Sequence, residues 1–398
     1  MAVAGIIAEY NPFHRGHEWQ LAEVRRRLGA ETGVVVCMSG DFVQRGDFAV
    51  MNKFSRAETA LLGGADLVLE LPMPWSAASA ERFAQGGTAV LAATGVVTHL
   101  AFGCESGNLK PLQTIAGRLE SQEYQEKLKV FTAEGKTFAA ARQAAIRAML
   151  GGTAELLSQP NNILAVEYLR ALRQLESGIE PLALPRIGAG HDSRDWNVYP
   201  SASAVREKLL TNGNWHELLS ESSVRVLSRE MEAGRAPVRI ENCQRAVLAQ
   251  LRRMPEDAFL PYDGGNEGLY HRFYRAVRTE KDLTGILQTA KTKRYPLARL
   301  RRMLLQCYLG VPQAAQGETP VYLRVLGANE TGRVLLGQMR KTASLPVITK
   351  PGHVRRLSDE VQRAFEQEAR CADLYALAYP DLGQAIPEGD YAAAPVML

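Results

Sequence analysis

Cysteine is scarce and scattered in this sequence: five residues, Cys37, Cys104, Cys243, Cys307 and Cys371, with no two at CxxC spacing. A disulfide scaffold and a cysteine-built zinc site are therefore not what organises the chain. Long apolar runs are missing as well. The longest charge-free stretch, Phe83 to Cys104, is broken by Gly86, Gly87 and Gly95 and contains His99, so it reads as a buried helix followed by a buried strand rather than a membrane span of about 20 apolar residues. Charge of one sign is not in excess either: 47 Lys+Arg against 43 Asp+Glu leaves +4 over 398 residues, too mild for net charge to mark a nucleic-acid binder. The opening MAVAGIIAEYNPFH has no basic n-region and meets a charge at Glu9, unlike a secretory signal, and a cytoplasmic location is expected. What remains is 46% hydrophobic and 23% charged, the balance of a globular chain, which excludes disorder, collagen and coiled coil. At roughly 150 residues per domain the length suggests two or three domains.

Short β-branched runs alternate with amphipathic stretches through the first half, the pattern of βαβ units around a parallel sheet. A doubly wound α/β domain is expected. Its strands are predicted at Val3–Ala8, Gly33–Met38, Leu67–Leu71, His99–Phe102 and Glu180–Leu184. Helices are predicted at Gly16–Leu28, Lys53–Leu62, Ala78–Ala93, within Leu109–Met149, and at Asn162–Leu175. After a capped helix over Ser201–Leu210, helical periodicity dominates, giving a division into residues 1–212 and a mainly helical second domain over residues 213–398. The latter ends in a small α/β module: a strand at Val321–Leu326, a helix at Glu330–Lys341, an apolar segment at Leu345–Thr349 and a helix at Ser358–Tyr375. The closing AAAPVML shows no periodicity and reads as a loosely held tail.

Chemistry concentrates at the first strand-to-helix turn, Glu9-Tyr10-Asn11-Pro12-Phe13-His14-Arg15-Gly16-His17. His14 and His17 make an HxGH. In an open α/β sheet the crevice beyond the strand ends binds ligands, and the following helix offers free N–H groups to phosphate. Two imidazoles there can stabilise charge that builds as pyrophosphate leaves. Gly16 lets the backbone approach a nucleotide. A metal site would need a third ligand, and His99, His191, His216, His271 and His353 stand in no ligand spacing with the pair. Farther on, Ser201 is an N-cap candidate with Ser203 and Arg206 in the first turns of one helix, so that hydroxyl, helix N-terminus and guanidinium converge on one anion.

These residues resemble the HxGH nucleotidyltransferase superfamily. Within it, GIIAEYNPFHRGH (Gly5–His17), MSGDFVQRGDFAVMNKFSRAETAL (Met38–Leu61), GADLVLELP (Gly64–Pro72), FGCESG (Phe102–Gly107), SQPNNILAVEYL (Ser158–Leu169), PRIGAGHDS (Pro185–Ser193) and SASAVR (Ser201–Arg206) are similar to the tRNA(Met) cytidine acetate ligase family. The resemblance implies a Rossmann-like HxGH nucleotidyltransferase fold. It also implies a reaction: acetate and ATP form acetyl-adenylate, and the acetyl group passes to N4 of the wobble cytidine (C34) of elongator tRNA(Met), giving N4-acetylcytidine.

By the same resemblance the ATP site comprises Ile7, Ala8, Glu9, Tyr10, Asn11, Pro12, Phe13, His14, Gly16, His17, Gln20, Gly103, Asn161, Asn162 and Arg186. His14 and His17 would hold the phosphates, and Ser203 with Arg206 the β/γ end. Acetate and the α-phosphate repel, so cationic positioning is needed, and Arg45, Lys53 and Arg56 are candidates, with Lys53 chosen. Asn161 and Asn162 offer amide recognition or cap a helix. Mg2+ is expected to accompany the triphosphate, with no carboxylate pair to identify its ligands. Arg15 and Asp41 depart from the family's usual pattern; Asp41 would repel acetate if it pointed inward, and it is left without a role.

From His271 to Arg302 ten basic residues face two acidic ones, +8 over 32 residues, with Tyr270, Phe273, Tyr274 and Tyr295 interleaved. Arg275, Lys291, Lys293, Arg294, Arg299, Arg301 and Arg302 are read as the tRNA-binding surface. No membrane contact and no obligate protein partner are expected. The alternative is a small-molecule adenylyl- or cytidylyltransferase, which would need no such platform. A regulatory protein without catalysis would not need the full set His14, His17, Ser203 and Arg206.

Overall fold

The computed structural model describes residues 2–185, 201–211, 213–264 and 268–398. Its strands are β1 (Val3–Ala8), β2 (Gly33–Ser39), β3 (Phe42–Val43), β4 (Asp47–Phe48), β5 (Leu67–Leu71), β6 (His99–Cys104), β7 (Glu180–Pro185), β8 (Leu323–Ala328), β9 (Val347–Ile348) and β10 (Val396–Met397). Helices of the first half are α1 (Arg15–Leu28), α2 (Lys53–Leu62), α3 (Met73–Ser76), α4 (Ala80–Ala93), α5 (Leu109–Arg118), α6 (Gln122–Ala133), α7 (Phe138–Leu150) and α8 (Pro160–Gln174). Then come α9 (Ala202–Leu210), α10 (Glu221–Glu232), α11 (Gln244–Arg253), α12 (Leu269–Thr279), α13 (Leu283–Ala290), α14 (Leu297–Leu309), α15 (Glu330–Thr342), α16 (Asp359–Ala376) and α17 (Gly389–Ala392).

Strands β5-β2-β1-β6-β7 run parallel in that order. The chain starts at the centre, moves outward through β2 and β5, then crosses back to β6 and β7. That reversal between β1 and β6 opens a crevice at their carboxyl ends. Period-2 alternation sends the two faces of each strand into separate cores. Ala4, Ile6, Val34 and Val36 pack with Leu21, Val24, Ala57 and Leu61 on the side of α1 and α2. Val3, Val35, Cys37, Leu67 and Leu69 pack on the other, with residues of α4, α5, α8 and α15. Burial on both faces explains the unbroken apolar runs in these strands.

The end of the chain differs from the sequence expectation. The strand predicted at Val321–Leu326 forms as β8, and it pairs antiparallel with β5, inside the sheet of the first half. The supposed loose tail is tied down: β10 pairs in parallel with β8, and Leu398 N donates to Ala328 O at 3.1 Å. Backbone pairing at a sheet edge leaves no side-chain periodicity, which is why the sequence hid it. Helix α2 packs against this part of the sheet and contacts both β8 and β10.

The helical region has its own core around Val247, Leu251, Phe259, Phe273, Ile286 and Leu300. The β3–β4 hairpin of the first half plugs into it. Phe48 stacks near Tyr375 and Tyr308 at 5.7 and 6.3 Å, Phe42 meets Tyr375 edge-on at 5.8 Å, and Tyr375 Oη donates to Ala49 O at 2.7 Å. The two regions are thereby fixed to one another through one apolar plug and its aromatic socket.

Candidate functional site

A cavity of about 420 Å³ fills the crevice beyond β1, β6 and β7, within the size range of nucleotide sites. Ile7 and Ala8 from the end of β1, Phe102 and Gly103 from β6, and Leu184 and Pro185 from β7 form its floor. Its walls are Glu9, Tyr10, Asn11, His14, Gly16, His17, Trp19 and Gln20 from the first turn and α1, Asn161 from the first turn of α8, and Ser201, Ser203 and Arg206 at the start of α9. Gln44 and Arg45 close one side, and Phe83, Ile163, Leu164 and Tyr168 give an apolar side. The HxGH and the late Ser/Arg element, almost 190 residues apart in sequence, thus share one cavity.

The α1 N-terminus is capped by the histidines themselves. His14 Nδ1 accepts from Gly16 N at 3.1 Å, and His17 Nδ1 accepts from His14 N at 3.2 Å, a reciprocal capping box. Because both Nδ1 atoms accept backbone protons, each neutral ring carries its proton on Nε2. The rings lie stacked with centroids 3.7 Å apart and Tyr10 packs on His17 at 4.7 Å, fixing both donors before any ligand arrives. An imidazole that caps through Nδ1 keeps Nε2 for a phosphoryl oxygen.

Arg206 is held from below: Nη1 donates to Asn11 O at 2.8 Å and Nη2 to Ser203 Oγ at 3.2 Å. Asn11 Oδ1 in turn accepts from Val50 N at 2.8 Å, tying the first turn to the loop before α2. Burial disfavours the Arg206 charge, Glu9 and Asp47 favour it, and Arg45 and Arg301 oppose it again. Ser201 caps α9 by accepting from Ala204 N at 3.2 Å. A Cβ on Gly103 would meet no atom within 4 Å, as expected where the backbone faces open cavity.

Several predicted site residues are placed elsewhere. Pro12 and Phe13 are buried behind the loop, Phe13 in the core with Tyr10 and Leu21 and so close to Gly63 that a Cβ there would stand 2.3 Å from its ring. They shape the turn without lining the cavity. Asn162 is fully buried and its amide is engaged inside the protein: Oδ1 accepts from Glu105 N and Ser106 N at 3.0 and 3.2 Å, and Nδ2 donates to Gln159 Oε1. Asn161 keeps a place on the wall, with Nδ2 donating to Glu105 Oε1 at 2.7 Å. Arg186 lies outside the described residues.

Lys53 is the largest departure. It does not line the cavity; its ammonium sits 2.7 Å from Glu70 and 2.8 Å from Asp390, with Glu368 at 3.9 Å, all of them buried. Burial works against its charge, yet Asp390, Glu70 and Asp41 hold it protonated well above the usual range. The sequence showed a lysine starting a helix near the site. It could not show that Asp390, 337 residues later, folds back to meet it. Asp41 belongs to the same cluster: its carboxylate accepts from Lys53 N at 2.8 Å, and burial pushes its carboxyl up to about 6. It therefore does not face acetate. Arg56 is bound within the protein too, donating to the carbonyls of Met51, Glu9, Ser39 and Gly40 and so lacing together the carboxyl ends of β1 and β2.

Of the basic residues read as an RNA surface, Arg275, Lys291, Lys293 and Arg294 are exposed. Arg299 is half-buried, donating to Asp263 O at 2.9 Å and lying over the Tyr295 ring at 5.3 Å. Arg301 and Arg302 are half-buried at the junction with the hairpin. The interleaved aromatics are largely core, since Phe273 and Tyr295 are buried and Tyr270 and Tyr274 pack against the same cluster. Spacing three and four along α12 turned them inward, an amphipathic-helix pattern that also fits stacking. Among the described residues no group of three or more His, Cys, Asp and Glu side chains could hold a metal, and no helix is long and apolar enough to cross a membrane.

The profile of the HIGH Nucleotidyl Transferase family matches residues 1–388. The chain is 35% identical over its whole length to the tRNA(Met) cytidine acetate ligase of Syntrophomonas wolfei, covering 99% of that protein. It is 34% identical to the protein of the same name from Halothermothrix orenii, over 96% of each chain. Among solved structures it matches Thermotoga maritima TmcAL without ligand, with TM-score 0.94, 33% identity and full coverage of both chains. It also matches the same protein bound with alpha-thio ATP, with TM-score 0.92 and 34% identity, again over the full length of both.

Proposed function

The chain belongs to the tRNA(Met) cytidine acetate ligases of the HIGH nucleotidyl transferase family, and from that premise we propose how its own residues carry the activity. One observation carries the assignment of roles: His14, His17, Ser203 and Arg206 line a single cavity at the switch point of the sheet. ATP enters with its adenosine over Gly103 and the apolar side, and its phosphates run from the α1 N-terminus toward the α9 N-terminus, both positive dipole ends. An acetate oxygen attacks the α-phosphorus, the bond to the bridging oxygen breaks, and pyrophosphate leaves. The Nε2–H donors of His14 and His17 stabilise the charge that develops on the α/β phosphoryl oxygens, while Ser203 and Arg206 hold the leaving end. The N4 amine of the wobble cytidine then attacks the acetyl carbonyl, loses a proton, and expels AMP.

A Mg2+ ion is expected to arrive on the triphosphate and keep most of its water. Residues 1–212 carry the nucleotide chemistry, and residues 213–398 offer the RNA surface, of which Arg275, Lys291, Lys293 and Arg294 are the accessible part. The substrates place the reaction in the cytoplasm. Incubating the purified protein with ATP, labelled acetate and unmodified elongator tRNA(Met), followed by nucleoside digestion and mass spectrometry, should yield labelled N4-acetylcytidine. Pyrophosphate release that requires a different small acceptor, with no labelled nucleoside, would instead make it a small-molecule nucleotidyltransferase.

A further inference from the structure

The helical region reaches the cavity rim at one point. Gly46, between β3 and β4 at φ 74°, lies flat against α14: a Cβ there would stand 2.4 Å from Arg302 N and 2.6 Å from the Arg301 carbonyl carbon. Arg302 Nη1 donates to Gln44 O at 3.5 Å, and Gln44 and Arg45 are cavity wall. Residues 301 and 302 are thus locked to the loop that closes one side of the site.

The two arginines differ in what they do with that position. Arg302 turns into the junction, where burial pushes its guanidinium down to about 10. Arg301 makes no hydrogen bond and no ion pair within 4 Å among the described residues. Its charge nevertheless acts on Asp47 and on Arg206, the residue that faces the phosphates. Among the described residues, the charges that act on Arg206 include Glu9 and Asp47, which favour its charge, and Arg45 and Arg301, which oppose it. Like charges in a partly dry site repel, and a polyanion that enters beside them relieves that repulsion.

We propose that Arg301, carried by the helical region, binds the β/γ-phosphate end of ATP beside Arg206, making the helical region part of the nucleotide site. This rests on the ATP-dependent reading above and deepens it. The consequence is physical coupling: the helix that holds Arg301 also closes onto the cavity loop at Gly46, so triphosphate binding bears on the region that presents the RNA surface.

Full-length wild-type, Arg301→Ala and Arg301→Lys proteins should be compared without tRNA, by acetate-dependent ATP–pyrophosphate exchange and by equilibrium binding of ATP and AMP. Arg301→Ala should raise the ATP KM and Kd roughly 10- to 100-fold, the range for a charge-assisted hydrogen bond. AMP affinity should stay within about twofold, because AMP lacks the β and γ phosphates, and Arg301→Lys should recover part of the loss. Unchanged ATP affinity in both variants, with wild-type exchange intact, overturns the proposal. Weaker tRNA binding with ATP affinity intact also overturns it, and makes the anion an RNA phosphate. Absence of acetate-dependent exchange in wild type would instead sink the ligase reading. If Arg301→Ala unfolds, the Arg301→Lys comparison of ATP against AMP decides.

Discussion

Two cations, Lys53 buried and Arg206 half-buried, stand near the starts of helices beside the same loop, and their surroundings set them apart. Lys53 opens α2 and is enclosed by Glu70, Asp390, Glu368 and Asp41. Arg206 sits in the first turns of α9 with two carboxylates and two further arginines nearby, on the wall of a cavity. The first is charge-satisfied from within; the second lines a cavity that an anion can enter. Residue type and helix position are alike in the two cases, so local charge balance and access make the difference.

The comparison breaks most visibly at Lys53. Lys53→Met leaves its carboxylates buried without their cation and should cost on the order of 3–5 kcal/mol, read by denaturant unfolding. A variant that unfolds as wild type does but forms no adenylate would return Lys53 to the chemistry. Next in size, His14→Ala should lower acetyl-adenylate formation by roughly 10²–10³-fold, with a stability loss of about 1 kcal/mol for the missing cap. Equal loss of adenylate formation and of tRNA binding, tracking unfolding, would show only a structural role. A smaller effect is expected outside both clusters: Lys291→Glu with Lys293→Glu should weaken tRNA binding several-fold, flatten its salt dependence by about two phosphate contacts, and leave acetate-dependent exchange untouched. Retained tRNA affinity would move the RNA surface elsewhere.

The smallest effect is a slope with pH. Burial raises the Asp41 carboxyl to about 6 from 3.8, so between these values the folded protein holds more protons than the unfolded chain and stability falls as pH rises. Asp41→Asn keeps an acceptor for Lys53 N and removes that titration. The variant should therefore gain on wild type in thermal unfolding from pH 4 to pH 7, and parallel curves would show that Asp41 stays ionised throughout.

Legibility followed locality. The βαβ pattern gave the five parallel strands because burial on both faces writes itself as short apolar runs, and Lys53–Leu62 and Leu67–Leu71 appear with their predicted ends. The HxGH turn was readable as structure because it is local: strand, turn and helix N-terminus are contiguous, and His14 and His17 stand three residues apart in one cap. The Lys53 cluster was not readable, since Asp390 arrives across 337 residues. Asn162 and Asn161 looked equivalent in sequence, and only packing turned one inward to the β6 loop and the other to the wall.

The sequence by itself determined the alternation of strands and helices, and the strand-to-helix turn with the chemical kind of its side chains, because periodicity, capping and motif spacing act over a few residues. Tertiary structure alone decided which cations remain available. It folded the tail back as β10 and α17 to neutralise Lys53, turned the aromatics of α12 into a core, and pressed the backbone of Arg301 and Arg302 in α14 against Gly46. The physical reason is that the availability of a charge depends on every group within a few ångströms, and those groups are gathered from distant parts of the chain.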